Sequence, residues 1–219
     1  DASCDWSSDV CSSDLVLLQG SLMTLELTIL SVILGSILGM VTALLKLSKN
    51  KIIASIAGFY TWIFRGTPML LQLFVFYYGL PFMGIKLTPF EAAILGLSLN
   101  SGAYMAEIIR GGILSVDKGQ FEACKSLGFT YLDTMKRVVL PQTFKIIIPS
   151  VGNEFITMLK DTSLVSVIAM AEVMRSAQLL YASTFKPLEV FFLTACLYLL
   201  MTTIFTTVFS YYEKKLSVY

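Results

Sequence analysis

Histidine is absent from the 219 residues. The side chain that most often serves as general base, proton relay or metal ligand near neutral pH is therefore missing. Charge is also scarce: 14 % of residues are charged, where soluble domains carry about a quarter. Cys4, Cys11, Cys124 and Cys196 show no CxxC spacing, which argues against both a disulfide framework and a metal site. No GxxxxGK[ST] phosphate loop occurs, so ATP hydrolysis is not expected in this chain, and neither is a cofactor of its own. The length leaves no room for a separate soluble enzyme domain. Nucleic acid is not an expected partner.

What the chain has in abundance is apolar sequence. Hydrophobic residues make up 56 % of it, and charge-free runs cover 27–45, 66–85 and 190–212. Each approaches the roughly 20 residues a helix needs to cross about 30 Å of hydrocarbon. The reading is an all-α integral membrane protein with five transmembrane helices, at about 16–45, 56–80, 89–109, 140–158 and 188–212. The first contains Gly35-x3-Gly39, a close-packing signature. The second is interrupted by Arg65-Gly66-Thr67-Pro68, where proline removes a backbone donor and predicts a kink. The segment 163–171 is apolar but too short to span, and predicts a short re-entrant or interfacial helix before the last crossing.

Residues 1–14 stand apart. They are rich in Ser and Asp, contain the near-repeat Trp6-Ser7-Ser8-Asp9 and Cys11-Ser12-Ser13-Asp14, and resemble translated sequencing adapter. They are expected to be a non-native or disordered extension, with 15–219 forming a single transmembrane domain. The net charge is +1 for the whole chain and +5 without the four aspartates of that segment. Basic residues then set the orientation. Lys46, Lys49, Lys51, Arg110, Lys118, Lys125, Lys136, Arg137, Lys214 and Lys215 fall in one set of loops. Only Lys86, Arg175 and Lys186, with Lys160 near a helix end, fall in the other. The bias places the N-terminus outside, and 111–137 with the C-terminus in the cytoplasm.

Within 111–137 lies a polar segment with the chemistry of a short capped helix. Asp117 can accept from free backbone N–H groups, Glu122 near the first turn suits the positive end of the dipole, and Gly128 can take the left-handed conformation that ends a helix. Ala123 and Cys124 between Phe121 and Leu127 predict a compact knob with an aromatic edge. Taken alone, these features fit an interfacial helix packed on its own bundle.

The run Gly119-Gln120-Phe121-Glu122-Ala123-Cys124, followed by Gly128 and by Val138-Val139-Leu140-Pro141, resembles the EAA loop of ABC-type importer permeases, Glu-Ala-Ala-x3-Gly-x9-Ile-x-Leu-Pro. It departs at Cys124 and Val138. Phe64-Arg65-Gly66-Thr67-Pro68, Asn100-Ser101-Gly102-Ala103-Tyr104, Glu107 to Gly112, Leu140-Pro141-Gln142 and Lys160-Asp161-Thr162-Ser163-Leu164 resemble the polar amino acid (histidine, glutamine and arginine type) branch of the same permeases. The resemblance implies that the segment is a cytoplasmic coupling helix docking on a separate ATP-binding subunit, with Gly119, Phe121, Glu122, Ala123, Cys124, Leu127 and Gly128 at the contact. It implies ATP and Mg in that partner, a second permease subunit, an extracellular or periplasmic binding protein, and a bacterial plasma membrane location among lipid. The competing reading is an ion-gradient-driven secondary amino acid transporter, against which stand the missing histidine and the lack of an evident inverted repeat.

Cargo must be sought in polar residues at membrane depth, where they are costly unless paired or lining a wet cavity. Asn100, Glu154 and Asp161 are the candidates for the substrate pathway. Glu154 and Asp161 are two helical turns apart and share a face if the helix continues. Carboxylates facing a cavity favour a basic amino acid. Each has a structural alternative: Asn100 as an interhelical hydrogen bond, Glu154 in an intramembrane salt bridge, and Asp161 or Thr162 as the cap of a re-entrant helix. Glu107 and Arg110 read as an ordinary surface pair, Glu172 and Arg175 as a solvated one, and Arg65 as the group that satisfies carbonyls freed by Pro68.

Overall fold

The computed structural model describes residues 6–216, with side chains from residue 15 onward, so the reading of 1–14 as an extension lies outside the described side chains. The described residues are almost entirely helical. α1 (Trp6–Lys46) and α2 (Lys51–Gly66) form a hairpin around a turn capped by Asn50, whose side chain accepts from Ile52 N–H at 3.0 Å. α3 (Met69–Phe74) runs on through a π turn (Val75–Gly79) and a 3-10 turn (Leu80–Met83). α4 (Pro89–Ser115) opens on a capping box in which Thr88 and Glu91 satisfy each other's free N–H groups.

The short α5 (Lys118–Ser126) follows, then α6 (Tyr131–Thr134), which passes through a π turn (Met135–Val139) into α7 (Leu140–Asp161). α7 continues as a 3-10 turn (Thr162–Ile168), ends at Ala169 in the left-handed region, and is followed by α8 (Val173–Thr184) and α9 (Pro187–Leu216).

By length and apolar composition alone, three helices can cross a membrane: Leu15–Lys46, Pro89–Ser115 and Pro187–Leu216. A fourth is the pair Tyr131–Ile168 and Val173–Thr184, bent by 50° at the break between them. The expected second crossing exists as two shorter helices, because Pro68 sits in extended backbone between α2 and α3.

Two expectations need correction. The helix expected to begin at Leu140 begins at Tyr131, since the π turn just before Pro141 accommodates the missing N–H and carries the helix through. The expected cap at Asp161 or Thr162 is not made: α7 runs straight on, and the Thr162 hydroxyl donates back to Leu159.

α4 is the central helix, packed on α1, α2 and α7; two-thirds of its most apolar stretch is buried, against 17 % for α9. With lipid as apolar as any side chain, close packing rather than water exclusion must hold the bundle. Gly35 and Gly39 provide it: a Cβ on Gly35 would stand 2.8 Å from Ser101 Cβ, and one on Gly39 2.5 Å from Met105 Cβ. Gly152 does the same for α7 against Phe209 of α9, 2.9 Å from where its Cβ would be. The backbone of α1 thereby lies against α4, and that of α7 against α9.

Candidate functional site

The break at Pro68 positions the first polar cluster. Proline deprives the Phe64 carbonyl of its helical donor. Gln72 Nε2 donates to that carbonyl at 2.9 Å, to the Thr67 carbonyl at 3.1 Å and to Thr67 Oγ1 at 2.8 Å. Asn100 Nδ2 donates to the Phe64 carbonyl at 3.1 Å and to Gln72 Oε1 at 3.0 Å. Asn100 is thus placed in the scaffold that holds the break. Gln72 was not singled out from the sequence, although it is the one amide in the charge-free run 66–85.

Arg65 does not take the role expected of it. Its guanidinium lies over the Tyr104 ring, 5.2 Å from the centroid, and its charge reaches Glu154. Glu154 is buried on the side of α7 that meets α4, beside the Ser101 hydroxyl, which is itself buried and makes no well-aligned hydrogen bond. Asp161 lies two turns along α7, half-buried, close enough for its charge to act on Glu154. The region between α2, α4 and α7 therefore holds a cation, a buried carboxylate, an aromatic face and a hydroxyl beside that carboxylate, with a second carboxylate two turns along α7.

Two acidic residues turn out to be structural. Glu107 pairs with Arg110 at 2.8 Å and also with Lys46, whose Nζ donates to Thr61 Oγ1 at 2.8 Å. This is a clasp between α1, α2 and α4 rather than a surface pair. Glu172, read as solvated, is fully buried. It caps α8, accepting from Met174 N–H and Arg175 N–H at 2.7 Å each, and accepts a third bond from Tyr198 Oη at 3.0 Å. Burial of this carboxylate comes from α9 folding over it, and a contact that distant leaves no local pattern.

α5 has the expected caps. Asp117 accepts from Gly119 N–H at 2.6 Å. Gly128 is left-handed (φ 79°), and its N–H and that of Phe129 bond back to Lys125 and Cys124 at 3.0 Å each. Glu122 falls in the second turn rather than near the first, so its dipole contribution is small. The knob is differently composed from the expectation: Cys124 is buried and Phe121 half-buried against the bundle. Glu122, Ala123 and Leu127 are the exposed members, and Leu127 is continued by exposed Tyr131 and Leu132.

Residues 32–218 match the family of binding-protein-dependent transport system inner membrane components, and the chain belongs to it. It is a permease component of an ABC transport system, and the family favours that reading over a gradient-driven carrier. Among relatives, the arginine transport system permease protein ArtQ of Bacillus subtilis is 44 % identical over 201 residues, covering 91 % of this chain and 92 % of its own. The putative glutamine transport system permease protein GlnP of Rickettsia felis is 39 % identical over 205 residues, covering 93 % and 94 %. The crystal structure of an amino acid ABC transporter with histidines superimposes with a TM-score of 0.90 at 41 % identity, covering 97 % of this chain and 99 % of that one. An inward-facing structure of the MetNI methionine ABC transporter shares the fold, with a TM-score of 0.80 at 16 % identity.

Proposed function

We propose that this chain moves polar, preferentially basic, amino acids inward across the bacterial plasma membrane along the face between α4 and α7, driven by ATP that a partner subunit hydrolyses with Mg. The observation that carries the reading is Glu154 of α7 buried beside Ser101 of α4, within range of the charge of Arg65, which lies over Tyr104, with Asp161 two turns along α7 beside Lys160. Arg65 offers a partner for an α-carboxylate. Two carboxylates offer one partner for the α-ammonium and a second for a cationic side chain, a combination that glutamine cannot use in full. Asn100 borders this pathway by holding the break from which Arg65 projects.

In this reading the chain crosses five times, with α2 and α3 together as the second crossing, the N-terminus outside and the C-terminus in the cytoplasm. α5 meets the ATP-binding subunit through Gly119, Glu122, Ala123, Leu127 and Gly128 and the exposed edge of Phe121, with Cys124 turned into the bundle. A second permease subunit completes the pathway and an external binding protein delivers the solute. Support comes from the basic loops and from the names of the relatives, which include arginine and glutamine permeases.

Uptake measured in proteoliposomes tests the cargo. Truncating one member of a desolvated charge pair costs about 2–5 kcal/mol, which is tenfold or more. Glu154→Gln is expected to lower arginine uptake at least about tenfold relative to glutamine uptake. Equal loss for both solutes refutes the charge argument.

A further inference from the structure

The α1–α2 hairpin holds a groove that the transport pathway does not use. Its volume is about 310 Å³, and it is open on one side. Leu38, Thr42 and Leu45 of α1, Ile53, Ile56 and Ala57 of α2, and Leu99 of α4 line it, with Thr42 itself buried. The hydroxyl that enters it from α2, Tyr60 Oη, is already donated to the Leu99 carbonyl at 2.6 Å. That leaves the groove an apolar lining. Leu38 to Leu45 and Ile53 to Tyr60 each span seven residues, so the groove runs about 10 Å along the hairpin from its turn.

At the turn end the chemistry reverses. Lys49 and Lys51 flank Asn50 in the turn, both exposed, and neither takes part in an ion pair among the described residues. Lys46, by contrast, is held inward by Glu107 and Thr61. Exposed Ile52, Phe59 and Trp62 continue the apolar surface of α2 beside the groove, as expected for a face in contact with bilayer.

We propose that this groove binds one anionic phospholipid, with an acyl chain between Leu45 and Ile53 and its phosphate at Lys49 and Lys51. Two unpaired cations at the mouth of an apolar slot match the two ends of such a lipid, and a zwitterionic lipid gains less from them. The leaflet concerned is the one that meets the 46–51 turn. Lipid bound here braces α1 against α2 beside the clasp of Lys46, Glu107 and Arg110. Occupancy is therefore expected to stiffen the end of α4 from which α5 emerges.

Native mass spectrometry of the complete transporter, equilibrated with equal amounts of phosphatidylglycerol and phosphatidylcholine, tests this. Lysines at a membrane surface each contribute about 1 kcal/mol, so the pair gives a preference for phosphatidylglycerol of about 10- to 30-fold. The wild type is expected to retain one phosphatidylglycerol per copy of this chain. The double variant Lys49→Gln with Lys51→Gln, altered only at the exposed turn, is expected to lose that preference while still retaining a lipid. Ala57→Phe, which fills the groove, is expected to lose both lipids. Equal retention of the two lipids by the wild type, or an unchanged preference in the lysine variant, overturns the proposal. So does cross-linking of two copies through Ile56→Cys in a background without the native cysteines, because a second copy would then cover the groove.

Discussion

Leu127→Glu is expected to abolish solute uptake and to strip the ATP-binding subunit from the purified complex, with the permease still folded. The physical case begins with what α5 leaves uncovered. Leu127 is 75 % exposed and Leu132 78 %, and with Tyr131 they form an apolar surface in a segment that also carries Lys118, Glu122, Lys125 and Asp133. Such a patch has no reason to face water, and in this family a protein surface is the occupant we assign to it. The backbone beneath is rigid: the Asp117 cap fixes one end and left-handed Gly128 the other.

A central apolar contact of this kind contributes about 2 kcal/mol or more, or roughly thirtyfold in association. Reversing it with a buried charge costs further. Gly128→Asp acts through the backbone instead. Open space surrounds the site, so the cost is the left-handed conformation itself, at most about 1 kcal/mol for Asp, together with a new negative charge at the end of α5. Both variants, and Glu122→Lys, are expected to leave binding of solute to the external binding protein unchanged. Normal uptake by all three would contradict the assignment of α5.

Gln72→Leu is expected to be the most destabilising single change at the break. It removes the donor to the Thr67 carbonyl and hydroxyl, one of the two donors to the Phe64 carbonyl and one of the two acceptors of Asn100, which keeps its bond to Phe64. Each buried group left unpaired costs about 1–3 kcal/mol, and more where lipid rather than water surrounds it. Pro68→Ala provides the control. It restores an N–H, which lets the chain satisfy the Phe64 carbonyl by continuing the helix. The loss caused by Gln72→Leu is therefore expected to be smaller in the Pro68→Ala background. Thermal unfolding in one detergent measures all four proteins, and an identical loss in both backgrounds would show that Gln72 does not serve the break.

The sequence disclosed these features unevenly, for physical reasons. Helices α1 and α9 were legible because a long charge-free run has few alternatives to a membrane helix, although the run 66–85 is broken into shorter turns by Pro68. The caps of α5 were legible because Asp117 and Gly128 act within a few residues of themselves. Gly35 and Gly39 showed a close approach but not its partner, since Ser101 and Met105 are far along the chain.

What could not be read depended on tertiary contact. Burial of Glu172 depends on Tyr198 and α9. Inclusion of Lys46 with Glu107 depends on α1 lying against α4. Arg65 was assigned to the nearest freed carbonyls, but a long side chain at a helix end reaches across to Tyr104, and the shorter Gln72 does the local work. Glu154 and Asp161 were expected to share a face only if the helix ran past about 158, which α7 does, and only the fold brings Arg65 and Ser101 to Glu154.

Uptake of radiolabelled arginine into proteoliposomes tests the central claim most directly. The permease would be reconstituted with its ATP-binding subunit and binding protein, with ATP and Mg supplied on the α5 side. Accumulation is expected only with that subunit and ATP present, and collapse of ion gradients is expected to leave it unchanged. Accumulation driven by an ion gradient with no ATP-binding subunit in the membrane would contradict the account.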